Sequence, residues 1–344
     1  MSSIETNQII DSEKFSRISD YVFAEFTSIE NFEKNFKYED VTVLEKKSTK
    51  DINYIWYINN KLEIRNSSIV FCQTDLVEHF FSILKNIDNL ENIILVTHQS
   101  DKKITKKLFK LKPSLISKWF STNVCYNHED LVPIPIGINN SYYKMHPNSS
   151  DIARVNHKTG NEKINKVYAN FNINTKQFHR FHTFKIALNS DSFVTQEEKL
   201  RKEDYLDELS KYKYTLCPWG NGYDTHRFWE SIYLGSVPII KYNKFYKHIT
   251  NIPSVVVKTF KNLDIENIKV NLNKIDIDKI SFSYWSELIM NEKKESDVNN
   301  LKCIDINYEN NIYKNKSTSK QRFYIKRKKF KNIIFKIYKK FFII

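Results

Sequence analysis

The stretch YKYTLCPWGNGYDTHRFWESIYLGSVPII, residues 212–240, decides the fold. The chain of 344 residues holds only five glycines, and three of them, Gly220, Gly222 and Gly235, fall inside it. An average composition would scatter roughly two dozen glycines along such a chain. These few therefore mark places where the backbone needs freedom. Residues 212–217 alternate and are β-prone, so they read as a buried strand. Pro218-Trp219-Gly220-Asn221-Gly222 then breaks the strand into a loop. Asp224 is a good N-cap, the next ten residues hold no breaker, and Gly235 stands where a left-handed residue would stop a helix of about three turns. Residues 237–240 resume as a strand. Such a βαβ unit binds ligands beyond the carboxyl ends of its strands, against helix N-termini. Residues 220–226 should thus lie on a binding edge.

On the expected helix, Thr225 and His226 occupy the first turn, and Arg227 and Glu230 share a face three residues apart. A guanidinium near free backbone N–H groups suits a diphosphate, and a carboxylate one turn on suits ribose hydroxyls. Spacing alone equally allows an exposed Arg227–Glu230 ion pair with the glycines as plain turns.

Five segments together resemble the exostosin-like glycosyltransferases: CPWGNGYDTHRFWESIYLGSVPII (217–240), ILVTHQSD (94–101), KWFSTNV (118–124), PIPIGINN (133–140) and VYANFNINT (167–175). The similarity spans roughly residues 90–260, and its central motif is the most specific part. It implies a GT-B architecture, with two Rossmann-like domains facing one another across a cleft and the donor held mainly by the second. Arg227 and Glu230 match the family motif as diphosphate and nucleoside contacts; Asp224 and His226 match less closely. The resemblance also implies an inverting transfer without a bound metal or cofactor, the nucleotide sugar being a substrate. The signal anchor, stem and second catalytic domain of the animal exostosins have no counterpart in the sequence, so their product is not implied.

Composition agrees with an α/β fold. A hydrophobic fraction of 41% and an aromatic fraction of 14% exclude wholesale disorder, and the length allows two cores of about 150 residues. Cys72, Cys125, Cys217 and Cys303 lie far apart, without metal-ligand spacing. No run of 18 apolar residues occurs, so neither a signal peptide nor a spanning helix is expected. No Walker A or GxGxxG pattern occurs, which counts against a P-loop kinase or an ordinary dehydrogenase.

The expected division is 1–150 for an acceptor domain, 151–310 for the donor domain and 311–344 for a tail. Residues 1–40 are polar with scattered aromatics and read as helices or a lead-in. Strands are expected at 41–44, 54–58, 68–72, 92–97 and 132–136, with helices at 76–85 and 113–120, which argues for a parallel sheet. Residues 142–165 are polar and hold Pro147 and Gly160, a linker by composition. A second set of strands covers a start at Val167, then 212–217, 237–240 and 254–257, followed by a closing helix at 281–290 and a polar, mobile stretch at 291–320.

Other polar groups complete the candidate site. Thr97-His98-Gln99-Ser100-Asp101 emerges at a strand end, where Asp101 or His98 would face the acceptor hydroxyl as general base, unless both are turn and cap residues. Asn170 and Asn172 follow the strand at Val167 and would hold phosphate or sugar hydroxyls, or simply make Asx turns. Lys241 sits just past the 237–240 strand, placed for a phosphate. Asp276-Ile277-Asp278 is formally a metal-binding DxD sequence but reads as a solvated face.

The net charge of +14 is concentrated in residues 314–344, with twelve lysines and arginines and no acidic residue. Phe330, Ile333, Ile334, Ile337, Tyr338 and Phe341 recur there at helical spacing among lysines, the pattern of a helix that lies on an anionic membrane surface. A cytoplasmic enzyme peripherally attached to the membrane follows, building capsule or lipopolysaccharide on a glycan or lipid-linked acceptor, with no nucleic-acid partner. The rivals are transfer of a sugar phosphate or polyol phosphate, and a non-catalytic basic adaptor that binds membrane or nucleic acid.

Overall fold

The computed structural model describes residues 4–156, 162–196, 200–243, 251–268, 276–294 and 301–306. It is mixed α/β, built on two sheets with largely parallel strands. The strands, in chain order, are β1 Tyr21–Ser28, β2 Val41–Ser48, β3 Asn53–Asn59, β4 Lys61–Ile64, β5 Ile69–Gln73, β6 Ile93–His98, β7 Ile116–Ser121, β8 Leu131–Pro133, β9 Ile164–Ala169, β10 Phe193–Thr195, β11 Tyr212–Leu216, β12 Val237–Lys241, β13 Val255–Val257 and β14 Lys302–Asp305.

The first sheet runs β2-β3-β1-β5-β6-β7-β8. From β1 to β8 every pairing is parallel, and β2 and β3 form an antiparallel hairpin appended to β1. Every residue of β5 and β6 is buried, as expected of parallel strands covered on both faces. The second sheet runs β10-β9-β11-β12-β13, all parallel. Its local order, 2-1-3-4-5, reverses direction between β9 and β11, and ligands of open parallel sheets sit outside the carboxyl ends at such a switch point.

Three sequence expectations need correction. Residues 113–120 were expected as a helix, but 116–121 form β7. Ile116, Trp119 and Phe120 are β-branched or aromatic and fully buried, and Lys118 reaches the sheet margin to donate to the Glu129 carbonyl at 3.1 Å. Residues 1–40 are not a mere lead-in, because β1 lies inside the first sheet. Its polar Glu25 is fully buried, held by Arg17 at 2.7 Å and by the Tyr57 hydroxyl at 2.8 Å, so the strand does not look apolar in sequence. The described part of the expected linker, residues 142–156 and 162–165, is packed into the fold. Tyr142 is buried, its carbonyl accepts from Asn53 N–H at 2.9 Å, and the helix Ser149–Asn156 buries Ile152 and Val155.

The chain also crosses back. The closing helix, Phe282–Met290, sets Phe282 against Phe15 at 5.3 Å between ring centroids; Lys293 pairs with Asp20 at 2.7 Å, and β14 pairs antiparallel with β4. The end of the expected 151–310 domain thus rests on the first sheet. A single apolar cluster runs from Phe15, Phe71 and Val96 of the first half to Tyr168, Trp229 and Trp285. Separate clusters back the outer faces of the two sheets. Among the described residues no helix is long and apolar enough to cross a membrane. The basic residues 314–344 lie outside the described residues.

Gly137 belongs to the junction. Its φ is +65°, and a Cβ there would stand 2.2 Å from the Ile10 carbonyl oxygen. That oxygen accepts from Ile138 N–H at 2.9 Å, so it has no room to retreat. Gly137→Ala should therefore cost about 2–3 kcal/mol through left-handed strain and the clash. The check is the urea midpoint, and an unchanged midpoint would show that the junction yields.

Candidate functional site

The expected βαβ unit forms. β11 leads into the 217–225 loop, the helix His226–Tyr233 follows, Gly235 with φ +67° ends it, and β12 resumes the sheet. The start of the helix differs from expectation. Thr225, with extended backbone, holds the N-cap position. Asp224 instead bridges the two halves, and is 5% exposed. Its carboxylate accepts from Ile136 N–H at 2.8 Å across the junction, from Thr225 N–H at 2.8 Å, and from the Trp229 indole N–H at 3.0 Å. With its oxygens occupied this way, Asp224 holds structure and does not reach a donor.

The residues expected to bind the donor separate into two groups. The first lines a cleft of about 470 Å³ at the switch point, where Asn170 and Asn172 from the loop after β9 meet Arg227 and Glu230 from the helix after β11. Tyr205, from the helix Lys202–Ser210, completes it. The Tyr205 hydroxyl donates to Glu230 Oε2 at 2.8 Å, and the Arg227 guanidinium lies 5.5 Å from the centre of the Tyr205 ring. Arg227 and Glu230 are not the exposed ion pair that spacing allowed: Glu230 is 4% exposed. Arg227 Nε and Asn170 Nδ2 are both enclosed and without a hydrogen-bond partner. A buried N–H with no acceptor costs about 1–3 kcal/mol. Two such donors lining one cleft, one of them on a guanidinium, make a site that an anion would satisfy.

In the second group, Asn221, Gly222 and His226 face the first half, while Gly220 does not. Asn221 Nδ2 donates to Asp101 Oδ2 at 3.0 Å, and a Cβ on Gly222 would stand 2.4 Å from Asn123 Oδ1. Glycine is needed at 222 for this close approach. Gly220 backs onto Arg180. The Arg180 guanidinium donates to the carbonyls of Asn172, Pro218 and Trp219 at 3.1–3.2 Å, and so ties together the two loops at the switch point. Lys241 ends β12 exposed, and it does not line the cleft.

A smaller cleft of about 190 Å³ lies between the halves, lined by His98, Gln99, Asp101, Asn140, Tyr143 and His226 among others. Asp101 is exposed there. His98 is buried, and both its ring nitrogens are engaged: Nδ1 accepts from Gln99 N–H at 2.7 Å, and Nε2–H donates to the Pro135 carbonyl at 3.1 Å. It therefore has no lone pair to offer a substrate, which removes it as general base. Asp276 of the DxD sequence pairs with Lys279 at 3.2 Å, away from both clefts. Among the described residues there is no group of three or more metal-ligating side chains.

Sequence reasoning missed Tyr205 and Arg180. Tyr205 carries a readable signal, since Tyr205, Leu206 and Leu209 share the buried side of a helix that the 200–210 periodicity announces. Arg180 carries none, because its partners are backbone carbonyls brought near by topology. No protein-family model matches the chain, and no curated protein matches it.

Burial depresses the His98 imidazole to about 4, with the Pro135 hydrogen bond working weakly the other way. The unfolded chain, titrating near 6.5, then binds the extra proton first as pH falls. The stability that neutral His98 contributes is complete above about pH 6.5 and is lost as pH falls toward 4. Burial depresses His179 to about 4 as well and acts in the same window. Burial pushes Glu13 up to about 7, which works in the opposite sense over the same range in any variant; as pH falls from 7.5 to 5 the urea midpoint of His98→Gln should therefore rise relative to that of the wild type. An equal change in the two proteins would show that His98 is not buried neutral.

Proposed function

We propose that the chain is a glycosyltransferase of the GT-B type, which moves a sugar from a nucleotide-sugar donor to a hydroxyl of a glycan or lipid-linked saccharide. The observation that carries this reading is the switch-point cleft, in which the Arg227 guanidinium and the Asn170 amide stand beside the Glu230 carboxylate. A nucleoside diphosphate answers each feature: its phosphates accept from Arg227 and Asn170, and its ribose hydroxyls donate to Glu230. The facing carboxyl edges of the two sheets, which carry Asp101 on one side and residues 220–226 on the other, leave an acceptor its own approach. A non-catalytic adaptor would have no use for a guanidinium set beside Tyr205 and Glu230 in a cleft with its Nε left over.

In this reading the acceptor oxygen attacks the anomeric carbon, the bond from that carbon to the diphosphate oxygen breaks, and Arg227 stabilises the charge that gathers on the leaving group. The transfer inverts the anomeric configuration and needs no divalent metal. The tail, outside the described residues, would hold the enzyme to an anionic membrane near a lipid-linked acceptor.

Arg227→Ala and Glu230→Ala should each weaken donor or transition-state binding by about 2–4 kcal/mol while leaving the fold intact. Thermal shifts with UDP, GDP, dTDP and CMP, followed by donor hydrolysis with the corresponding nucleotide sugars in excess EDTA, test the assignment. Near-normal turnover in both variants, or a strict need for manganese or magnesium, would overturn it.

Truncation after Asn315 should abolish sedimentation with anionic vesicles at low salt and leave transfer to a short soluble acceptor nearly unchanged. Each basic residue near such a surface contributes about 1 kcal/mol. A truncated protein that still sediments would place the membrane contact elsewhere.

A further inference from the structure

We propose that His226, and not a residue of the first domain, takes the proton from the acceptor hydroxyl; this rests on the glycosyl-transfer reading above. His226 is half-buried, opens its helix and lines the cleft between the two halves. Its Nδ1 lies 2.8 Å from the Gly137 carbonyl oxygen. A carbonyl can only accept, so Nδ1 carries the hydrogen and the lone pair of the neutral ring sits on Nε2. A catalytic imidazole needs this arrangement, with one nitrogen fixed by an acceptor so that the other is aimed and basic. The carbonyl that fixes it belongs to the glycine whose conformation is imposed by the Ile10 contact.

Of the two sequence candidates for this role, His98 is used otherwise, because both its nitrogens are bonded within the protein. Asp101 lines the same cleft but is exposed to water, with Oδ2 accepting from Asn221, whereas His226 is half-buried and fixed by the Gly137 carbonyl.

Position along the helix supplies the second argument. Neighbouring helical residues project about 100° apart, and here they reach different spaces. His226 faces the inter-domain cleft and Arg227 the switch-point cleft. The 139–147 segment borders both, Tyr143 lining the first and Met145 the second. An inverting displacement requires a base beside the incoming oxygen and a cation beside the departing one, on opposite sides of the anomeric carbon. Consecutive residues of one helix put the two groups in neighbouring clefts, as that requirement asks. The hydroxyl proton passes to His226 Nε2, the oxygen's electron pair forms the new glycosidic bond, and the bond to the diphosphate breaks with its pair going to the nucleoside diphosphate held by Arg227. The acceptor side also carries Asn139 and Tyr143, an amide and a hydroxyl that suit a hydroxyl-rich saccharide; the side chains of Gln99, Ser100 and Asn140 are bonded within the protein.

The test compares wild type with H226N and H226Q. The asparagine amide can still donate to the Gly137 carbonyl, so H226N keeps the domain contact while losing the basic nitrogen; H226Q removes the base with a different shape and serves if H226N fails to fold. With the nucleotide sugar that the wild type turns over fastest and a saccharide acceptor, kcat should fall about 10²- to 10⁴-fold, with the UDP or GDP affinity unchanged. Sodium azide offered as nucleophile has no proton to remove, so the rate of glycosyl azide formation should stay within a few-fold of wild type. Equal loss with saccharide and azide would assign His226 a positioning role only, and undiminished saccharide transfer would remove it from the chemistry; either result overturns the proposal. A wild type that binds no nucleotide and transfers no sugar would overturn the underlying reading instead.

Discussion

The Asp224 carboxylate is the contact on which the site depends. It gathers a backbone N–H from the segment after β8, the N–H of the residue that opens the site helix, and the indole of Trp229 one turn along. The carboxylate is buried, the Trp229 donor is buried and the other two are half-buried, so its desolvation is offset by three hydrogen bonds to a carboxylate, the stronger kind. Through these bonds the helix that carries His226, Arg227 and Glu230 takes its orientation from the first sheet and not only from its own. The two clefts keep a fixed relation because one helix, anchored at one carboxylate, forms a wall of both.

Around that anchor the cations are arranged by what they lack. Lys102, for example, finds a carboxylate, pairing with Glu78 at 2.9 Å. Arg180 is satisfied by three carbonyls and shapes the loops at the switch point. The Arg227 Nε has no such partner among the described residues. Leaving a buried donor unsatisfied lowers stability, and folds keep such sites where a ligand completes them.

Local signals were legible in the sequence, and convergent ones were not. The strand, loop, helix and strand of residues 212–241 followed from glycine placement and alternation, and the three-residue spacing of Arg227 and Glu230 is a property of one helix. Asp224 looked like an N-cap because its local setting is that of one, whereas its strongest partners, Ile136 and Trp229, depend on the other sheet and on helix direction. Glu25 disguised β1, since a glutamate within a strand reads as solvent-facing until Arg17 and Tyr57 are seen beside it. β7 was misread because a proline followed by mixed residues resembles a helix start, and the lateral pairing with β6 and β8 that decides the matter is non-local. Asn170 and Arg227, 57 positions apart, meet because the order of the second sheet reverses between β9 and β11.

The apolar cluster shared by the two halves bears on how the molecule comes apart. Chains with two sheets usually unfold as two bodies, each losing its own core. Here Phe15, Phe71, Tyr168, Trp229 and Trp285 belong to one cluster, so separating the halves exposes much of the surface that melting either would expose. Cooperativity then extends across the whole body, giving one calorimetric transition whose enthalpy grows with the combined length. The same continuity stiffens the walls of the switch-point cleft, because parting the halves would expose that shared apolar surface.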